Sequence, residues 1–473
     1  MRRWRKVWVP WPLLAVIAVQ AALSAGMLRV RTAFGDEALY LSAGHLEWSH
    51  WLHGTQLPQY QTWFSGAPVI YPPVGAIADS LGGLAAARLL SLLFMLGVTS
   101  FVWGTTIRLL ADQRAAFFAA ALFAALAPTL HLGSYATYDA PALLLLAAAT
   151  WCASRARGSE KATRRMVAAG ILLALANATK YATALYDPSV LCLIVLSSWA
   201  EAGRREAVRR AAVLAGSAAT VLGALLFLGG PGYLAGIRVT TTGRAHGTAT
   251  ASLVFADAWS WTAVALIPAV AAVVLCVARR RWSQALLLAV LGLSALLAPA
   301  DQARIQTTTS LNKHVDFGAW FAVIAAGYLL SILSRRRVVL AASLAALVPV
   351  AAMGTAQARA MIDWPDEAGL VKVVRPLTAH GGHFLVETND VLQYYLPDTT
   401  WRQWSSTADK SLAYYQRAIA RHYFSVVVLN FNQTPAADDA ISFALSTTSG
   451  YRLAAKLRSG NTVFYVWDYV GLV

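Results

Sequence analysis

The residues that could do chemistry cluster by type and position. Asp36 and Glu37 stand side by side in "RVRTAFGDEALYLSAGHLEWSH", just after an apolar run, Val7 to Met27, that is long enough to enter a bilayer. A carboxylate in a partly desolvated setting can accept a proton from a hydroxyl as a new bond forms. Asp139 lies further on in "GSYATYDAPALLLL", and Lys180, Arg244, Arg304, Lys313 and His314 supply cations or hydrogen-bond donors. Donors of that kind meet negative charge as it develops on a leaving group. Carboxylates and cations together suit a displacement in which a hydroxyl loses its proton and an anion departs.

Each residue also has a plainer reading. Gly35 followed by Asp and Glu suits the first turn of a helix. Asp139 before Ala140-Pro141 could cap one. Lys180 interrupts an apolar run, where a central charge costs about 2.5 to 3.5 kcal/mol unless it snorkels to the interface beside Tyr181. Lys313-His314 ahead of Asp316 could be a polar helix entry. His50 and His53, one turn after Glu47, have zinc-compatible spacing, but surface polarity beside interface tryptophans explains them more simply.

The elements that must position these groups are set by composition. The chain has 473 residues, 58% hydrophobic and 13% charged, which is far more apolar surface than a soluble core requires. It reads as a polytopic α-helical membrane protein, and the run Val7 to Met27 as a retained first helix rather than a cleaved leader. The net charge of +16 would suggest a nucleic-acid partner in a soluble protein. Here 21 Lys and Arg against 4 Asp and Glu fall in six short segments: 1 to 6, 108 to 114, 155 to 165, 201 to 210, 279 to 281 and 335 to 337. The excess is positive-inside charge and excludes that inference. Spans threaded between the segments number about eleven: 7 to 27, 85 to 107, 115 to 132, 140 to 154, 166 to 184, 188 to 200, 211 to 230, 261 to 278, 283 to 300, 317 to 333 and 338 to 355. Pro188 and Gly230-Pro231 interrupt two of them. This parity puts the amino terminus in the cytoplasm and the loops bearing Asp36, Asp139, Asp187, Arg244 and Lys313 outside.

Two domains are expected, a membrane domain over 1–356 and a soluble extracytoplasmic α/β domain over 357–473. In the second, "HFLVET", "FSVVVLN" and "TVFYVWDYV" read as strands and "SLAYYQRAIARHYF" as an amphipathic helix. The three cysteines, Cys152, Cys192 and Cys276, all lie in expected spans, so no disulfide framework is implied. The loop over 29–84 is long enough to be functional. Its first half reads as a surface helix anchored by Trp48 and Trp51, and Pro72-Pro73 as the turn that sends the chain back to the membrane.

The order of an acidic pair in the first outer loop, Tyr71-Pro72-Pro73, "AARLLS" opening the second span, "GSYATYDAPALLLL" in the second outer loop and "LALANATKYATAL" resembles the GT-C class of membrane glycosyltransferases. Within that class it is similar to glycosyltransferase family 39, the protein O-mannosyltransferases and the aminoarabinose transferases. The likeness covers residues 1–190 well. From there to 356 it rests on topology and "SLNKHVDFGAWFAVIAAGYLL", and beyond 356 it is weak.

The resemblance implies a GT-C-like fold and transfer of one sugar from a polyprenyl-phosphate carrier to an exported protein, lipid or cell-wall glycan on the outer face, with inversion. It makes Asp36 the catalytic base, with Glu37 beside it, and gives Asp139 a part in shaping the site. On their charge and their side of the membrane, rather than on the resemblance, Arg244, Lys313, His314, Lys180 and Arg304 are the candidates for the donor phosphate, and Tyr71, Pro72 and Pro73 are read as the substrate loop. Relatives of the aminoarabinose type often carry Lys where this chain has Tyr71, so a phosphate contact there is not implied. Arg outnumbers Lys 32 to 7, which with the Ala bias suggests a GC-rich bacterium and hence its plasma membrane. No Walker loop, dinucleotide fingerprint or serine elbow is present, so direct use of a nucleotide is not expected. No cofactor is called for, and whether a divalent metal joins the carboxylates is left open, as are the sugar and the acceptor. The other classes that fit are a secondary transporter and a membrane-anchored sensor with an exported binding domain, but the charges crowd one face and no internal repeat is visible.

Overall fold

The computed structural model describes residues 10–156 and 159–471. The basic segment at 1 to 6 lies outside the described residues, as do positions 157 and 158 of the third basic segment. Contacts divide the chain into two compact units, one of residues up to Leu28 with Gln59–Ile362, the other of Arg29–Pro58 with Asp363–Val473. The position expected as a domain boundary, 356, falls inside a helix of the first unit.

After α1 (Trp11–Ala25) the chain forms α2 (Gly35–His53), part of the second unit, and then returns as α3 (Tyr71–Leu110). The first unit continues with α4 (Gln113–Ala125), α5 (Ala127–Leu132), α6 (Asp139–Ser154), α7 (Ala162–Thr179), α8 (Asp187–Thr240), α9 (Ala251–Ala278), α10 (Trp282–Leu293), α11 (Leu297–Arg304), α12 (Leu311–Leu333) and α13 (Arg337–Ala360). Each of the eleven expected intervals falls largely on helix. Among the described residues seven stretches are long and apolar enough to cross a membrane, by length and composition, and α1, α4 and α6 are shorter apolar helices.

The middle of this unit is α12, whose residues from Phe317 to Ala326 are almost wholly buried, the pattern of a helix surrounded by other helices. It packs on α4, α9 and α10. Small residues let the backbones approach: a methyl group on Gly327 would stand 2.4 Å from the Ala115 carbonyl oxygen.

The long helices break where sequence permits. Pro72 and Pro73 do not form the expected turn. They occupy the first turn of α3, where a missing N–H costs no hydrogen bond, and Tyr71, Pro72 and Pro73 are all buried there. The break falls instead at Gly82-Gly83, with Gly83 at φ 66°, a region that glycine enters without strain. Within α8, Gly203 and Gly230 break the helix in the same way, the second at the expected interruption.

The second unit is a five-stranded sheet between helices. Its strands are β1 (His383–Val386), β2 (Trp404–Ser406), β3 (Phe424–Leu429), β4 (Tyr451–Ser459) and β5 (Thr462–Tyr469), in the order β2-β1-β3-β5-β4. β1 runs parallel to β2 and β3, and β5 is antiparallel to β3 and β4. Alternation along β3 sends Val426 and Val428 to one face, with Leu370, Val371 and Val374 of α14 (Ala368–Thr378) and Leu392 of α15 (Asp390–Tyr395). Val427 and Leu429 face the other way, against Tyr415 and Ile419 of α16 (Leu412–Ala420) and Ile441 and Leu445 of α17 (Pro435–Thr447).

Residues 31–37 are fastened to this unit by backbone and side-chain bonds. The Tyr395 hydroxyl accepts from Ala33 N at 3.0 Å, Trp364 Nε1 donates to the Thr32 carbonyl at 3.0 Å, and Glu367 N donates to Thr32 Oγ1 at 2.8 Å. Arg31 donates to the Trp364 carbonyl, and the Phe34 and Trp364 rings lie 5.2 Å apart. At the far end of α2, Trp401 Nε1 donates to the Gln56 carbonyl at 3.2 Å.

Candidate active site

In the membrane unit a set of ionisable groups is buried among apolar helices. Asp139 is the first residue of α6 and is fully buried, but it does not cap that helix. Its carboxylate forms an ion pair with Lys180 and accepts a hydrogen bond from Thr137 Oγ1 at 2.9 Å. Lys180, 2% exposed, stands at the end of α7, where its backbone is extended (φ −148°, ψ 117°). Its ammonium also lies 4.7 Å from the centre of the Tyr138 ring.

That helix end is held from two sides. Thr183 Oγ1 donates to Asn177 Oδ1 at 2.6 Å, and Asn177 Nδ2 donates to Asp187 at 2.8 Å. The irregular segment 65–67 brackets it, with Ala67 N donating to the Ala178 carbonyl at 2.7 Å and Tyr181 N donating to the Ser65 carbonyl at 2.9 Å.

The first turn of α12 contributes the next groups. Lys313, 5% exposed, places its ammonium 5.4 Å from the centre of the Tyr135 ring, and the His131 ring stacks with Tyr135 at 4.9 Å between centroids. Gln302 Nε2 lies 2.7 Å from His314 Nδ1. An amide NH2 only donates, so His314 Nδ1 accepts and its proton resides on Nε2, leaving that atom a donor. Asp316, fully buried, accepts from Thr129 Oγ1 of α5 at 2.7 Å. Arg88 of α3, 1% exposed, donates to the Leu28 carbonyl at 3.2 Å, and its charge reaches His131, as the charges of Lys180, Lys313 and Arg244 reach His314.

Thus Lys180, Lys313, His314 and Asp139 are brought together, with Arg244 in electrostatic range from a half-buried loop position. Arg304 is not. It is exposed and bonded to Asp301 one turn earlier at 2.7 Å. Arg88, His131, Tyr135 and Tyr138 were not singled out from sequence, although Arg88 is a charge within an expected span and both tyrosines closely precede Asp139 in the quoted segment.

In the second unit, Asp36 and Glu37 open α2. Glu37 is fully buried, and its carboxylate accepts from Phe34 N at 3.0 Å, the reach-back bond of a capping box. The Asp390 carboxyl of α15 lies beside this turn, 4.0 Å from where a side chain on Gly35 would begin. Burial, with Asp36 and Asp409 adding like charge, pushes the Asp390 carboxyl up to about 7. Glu367 is pushed up to about 8 by burial, then by Asp390 and Asp366.

At the other end of α2, Glu47 is buried and His53 exposed, and His50 Nδ1 is 2.7 Å from the Thr55 carbonyl, closing the helix rather than facing a shared ligand. Among the described residues no group of three or more His, Cys, Asp or Glu is arranged to hold a metal ion.

Residues 76–228 match the family model described as dolichyl-phosphate-mannose-protein mannosyltransferase. No curated protein matches in sequence. The fold is similar to that of ArnT from Cupriavidus metallidurans bound to undecaprenyl phosphate, with a TM-score of 0.67 at 13% identity over 97% of this chain and 98% of that one. It is also similar to the oligosaccharyltransferase AglB from Archaeoglobus fulgidus in complex with an inhibitory peptide and a dolichol-phosphate, with a TM-score of 0.61 at 12% identity over 96% of this chain and 74% of that one. The arabinofuranosyltransferase AftD from Mycobacteria gives a TM-score of 0.56 at 14% identity over 97% of this chain and 40% of that one. The chain therefore shares the fold of these membrane glycosyltransferases, and residues 76–228 match a family model of the same kind.

Proposed function

We propose that the protein moves a single sugar from a polyprenyl-phosphate carrier to a hydroxyl on an acceptor at the outer face of the membrane, with inversion at the anomeric carbon. The observation that carries this reading is the buried set of cations in the membrane unit. Lys180, Lys313 and Arg88 are buried there with Asp139 and Asp316, in a place where charge is costly to bury. A lipid phosphate is an anion delivered to that depth by its own tail. ArnT with undecaprenyl phosphate and AglB with dolichol-phosphate are consistent with such a donor.

The chemistry divides among the residues. Asp36 takes the proton of the acceptor hydroxyl as its oxygen bonds to the anomeric carbon. The bond from that carbon to the phosphate oxygen breaks, and the departing phosphate gains charge that Lys313, Lys180, Arg244 and the His314 Nε2 proton receive. Asp139 is committed to Lys180 and Thr137, so its part is to hold the lysine rather than to act as a base. Arg304, spent on Asp301 at the surface, takes no part. A lipid-side groove of about 650 Å³ between α9 and α12, beginning at Trp259, gives space for an isoprenoid tail. Trp259 follows Ala258, which packs on Val315 near Lys313.

The charge pattern supports a plasma-membrane protein with a cytoplasmic amino terminus and an extracytoplasmic second unit. A cysteine placed at Ser405 is then labelled by an impermeant maleimide in intact cells, and labelling only after lysis reverses this orientation.

The base is tested with a radiolabelled polyprenyl-phosphate sugar supplied to membranes. Asp36→Asn removes basicity but little else, so transfer falls by at least ~10²-fold with donor binding retained. A folded Asp36→Asn variant that transfers at the parent rate removes this assignment.

A further inference from the structure

We propose that Gln302 of α11 is a positioning residue for His314, its side-chain amide keeping the imidazole proton on Nε2, where it meets the charge that develops on the departing phosphate. This rests on the reading of His314 as a phosphate contact and adds to it the group that keeps the ring a donor. Gln302 is 1% exposed, and its Nε2 lies 2.7 Å from His314 Nδ1 and 3.3 Å from the Thr309 carbonyl oxygen. The second contact decides which way the amide is turned. A carbonyl oxygen only accepts, so the NH2 faces Thr309, and the amide turned over would set its own oxygen against that carbonyl. The same nitrogen then donates to His314 Nδ1, which carries no proton. With Nδ1 committed, Nε2 is the ring nitrogen left for a ligand, and it is a donor.

The surroundings hold both partners in place. Thr307 N donates to the Gln302 carbonyl at 3.1 Å, so the turn between α11 and α12 folds back on Gln302. His314 N donates to the Ser310 carbonyl at 3.0 Å, and the Tyr186 hydroxyl donates to the His314 carbonyl at 3.3 Å. The oxygen of the Gln302 amide is buried with no hydrogen-bond partner. A side chain placed there for packing alone would not carry that cost. What the amide contributes is its NH2, which ties the turn at Thr309 and sets the tautomer of His314.

The test is kcat and donor KM of the full-length protein in membranes, measured across pH with a radiolabelled polyprenyl-phosphate sugar. Gln302→Glu keeps the size of the side chain but cannot donate, so it accepts from Nδ1–H and reverses the ring. Nε2 of this variant donates only while His314 is an imidazolium, and it becomes an acceptor once the ring is neutral. Relative to the parent, its kcat falls as pH rises, by ~10²-fold at the alkaline end, the effect of losing one donor to a developing oxyanion. Donor KM changes little, because the donor acts on charge that appears in the transition state. Lys180, Asp139, Lys313 and Arg244 also face His314 with their charges, and the ratio of variant to parent at each pH cancels what they contribute to both. Gln302→Met, neutral and of similar length, lowers kcat in the parent but not in a His314→Phe background. The proposal is overturned if the ratio for Gln302→Glu does not change with pH, or if Gln302→Met costs as much in the His314→Phe background as in the parent. The second comparison gives a reading even where the Glu variant does not fold. Failure of the lipid-donor reading shows separately, as no transfer from this donor by the parent.

Discussion

Lys180 illustrates how a single side chain is placed. It sits where α7 stops, and what stops and holds that helix is partly the chain segment 65–67, bonded on either side of it at Ala178 and Tyr181. Gly66 makes the approach possible, since a methyl group there would lie 2.1 Å from the Thr179 carbonyl oxygen and 2.9 Å from its carbon. Both are backbone atoms and neither can turn aside. Gly66→Ala must therefore push the segment off the helix end and shift Lys180 relative to Asp139. A misplacement of about 1 Å at a positioning group costs about 10²-fold in rate, and transfer from a labelled lipid-phosphate sugar should show that loss. A Gly66→Ala enzyme with the parent rate would mean that Lys180 does not depend on this contact. At this scale the sequence made the charged residues visible, because Asp139, Lys180 and Lys313 stand out against apolar runs. It did not reveal Tyr135, Tyr138 and His131, which are ordinary in composition and gain meaning only by stacking on or beside the cations. Gly66 was invisible for the same reason: its constraint is a contact with residues more than a hundred positions away.

Elements were legible in proportion to how local their cause is. Hydropathy and basic punctuation marked the membrane helices, and the buried runs of β1 and β3 marked the centre of the sheet. β4 was missed because it is an edge strand. Arg452, Lys456 and Arg458 interrupt its apolar pattern, and most of its residues are exposed, as suits an edge that must not recruit another strand. The prolines at 72 and 73 were read as a turn when they begin a helix, since proline suits either place and only the following residues decide. The grouping of α2 with the C-terminal residues rests on contacts such as Thr32 with Trp364 and Glu367, and nothing in the local pattern of either segment announces them.

For the whole molecule, the division into two units gives a different picture of the chain from one of a catalytic membrane domain with an appendage. The cation set belongs to the first unit, whereas the acidic pair Asp36-Glu37 is held in the second by residues contributed from beyond Asp363. A protein whose candidate base is fastened by its C-terminal domain needs that domain for turnover. The central claim is that the donor is a lipid phosphate. Its most direct measurement uses the purified full-length protein in bilayer discs, with a synthetic polyprenyl-phosphate sugar labelled in both sugar and lipid and an acceptor fraction from the cell envelope. The account predicts one polyprenyl phosphate released for each sugar transferred, and no transfer when a sugar nucleotide replaces the lipid donor. Transfer from the nucleotide alone, or transfer with no release of polyprenyl phosphate, would contradict it.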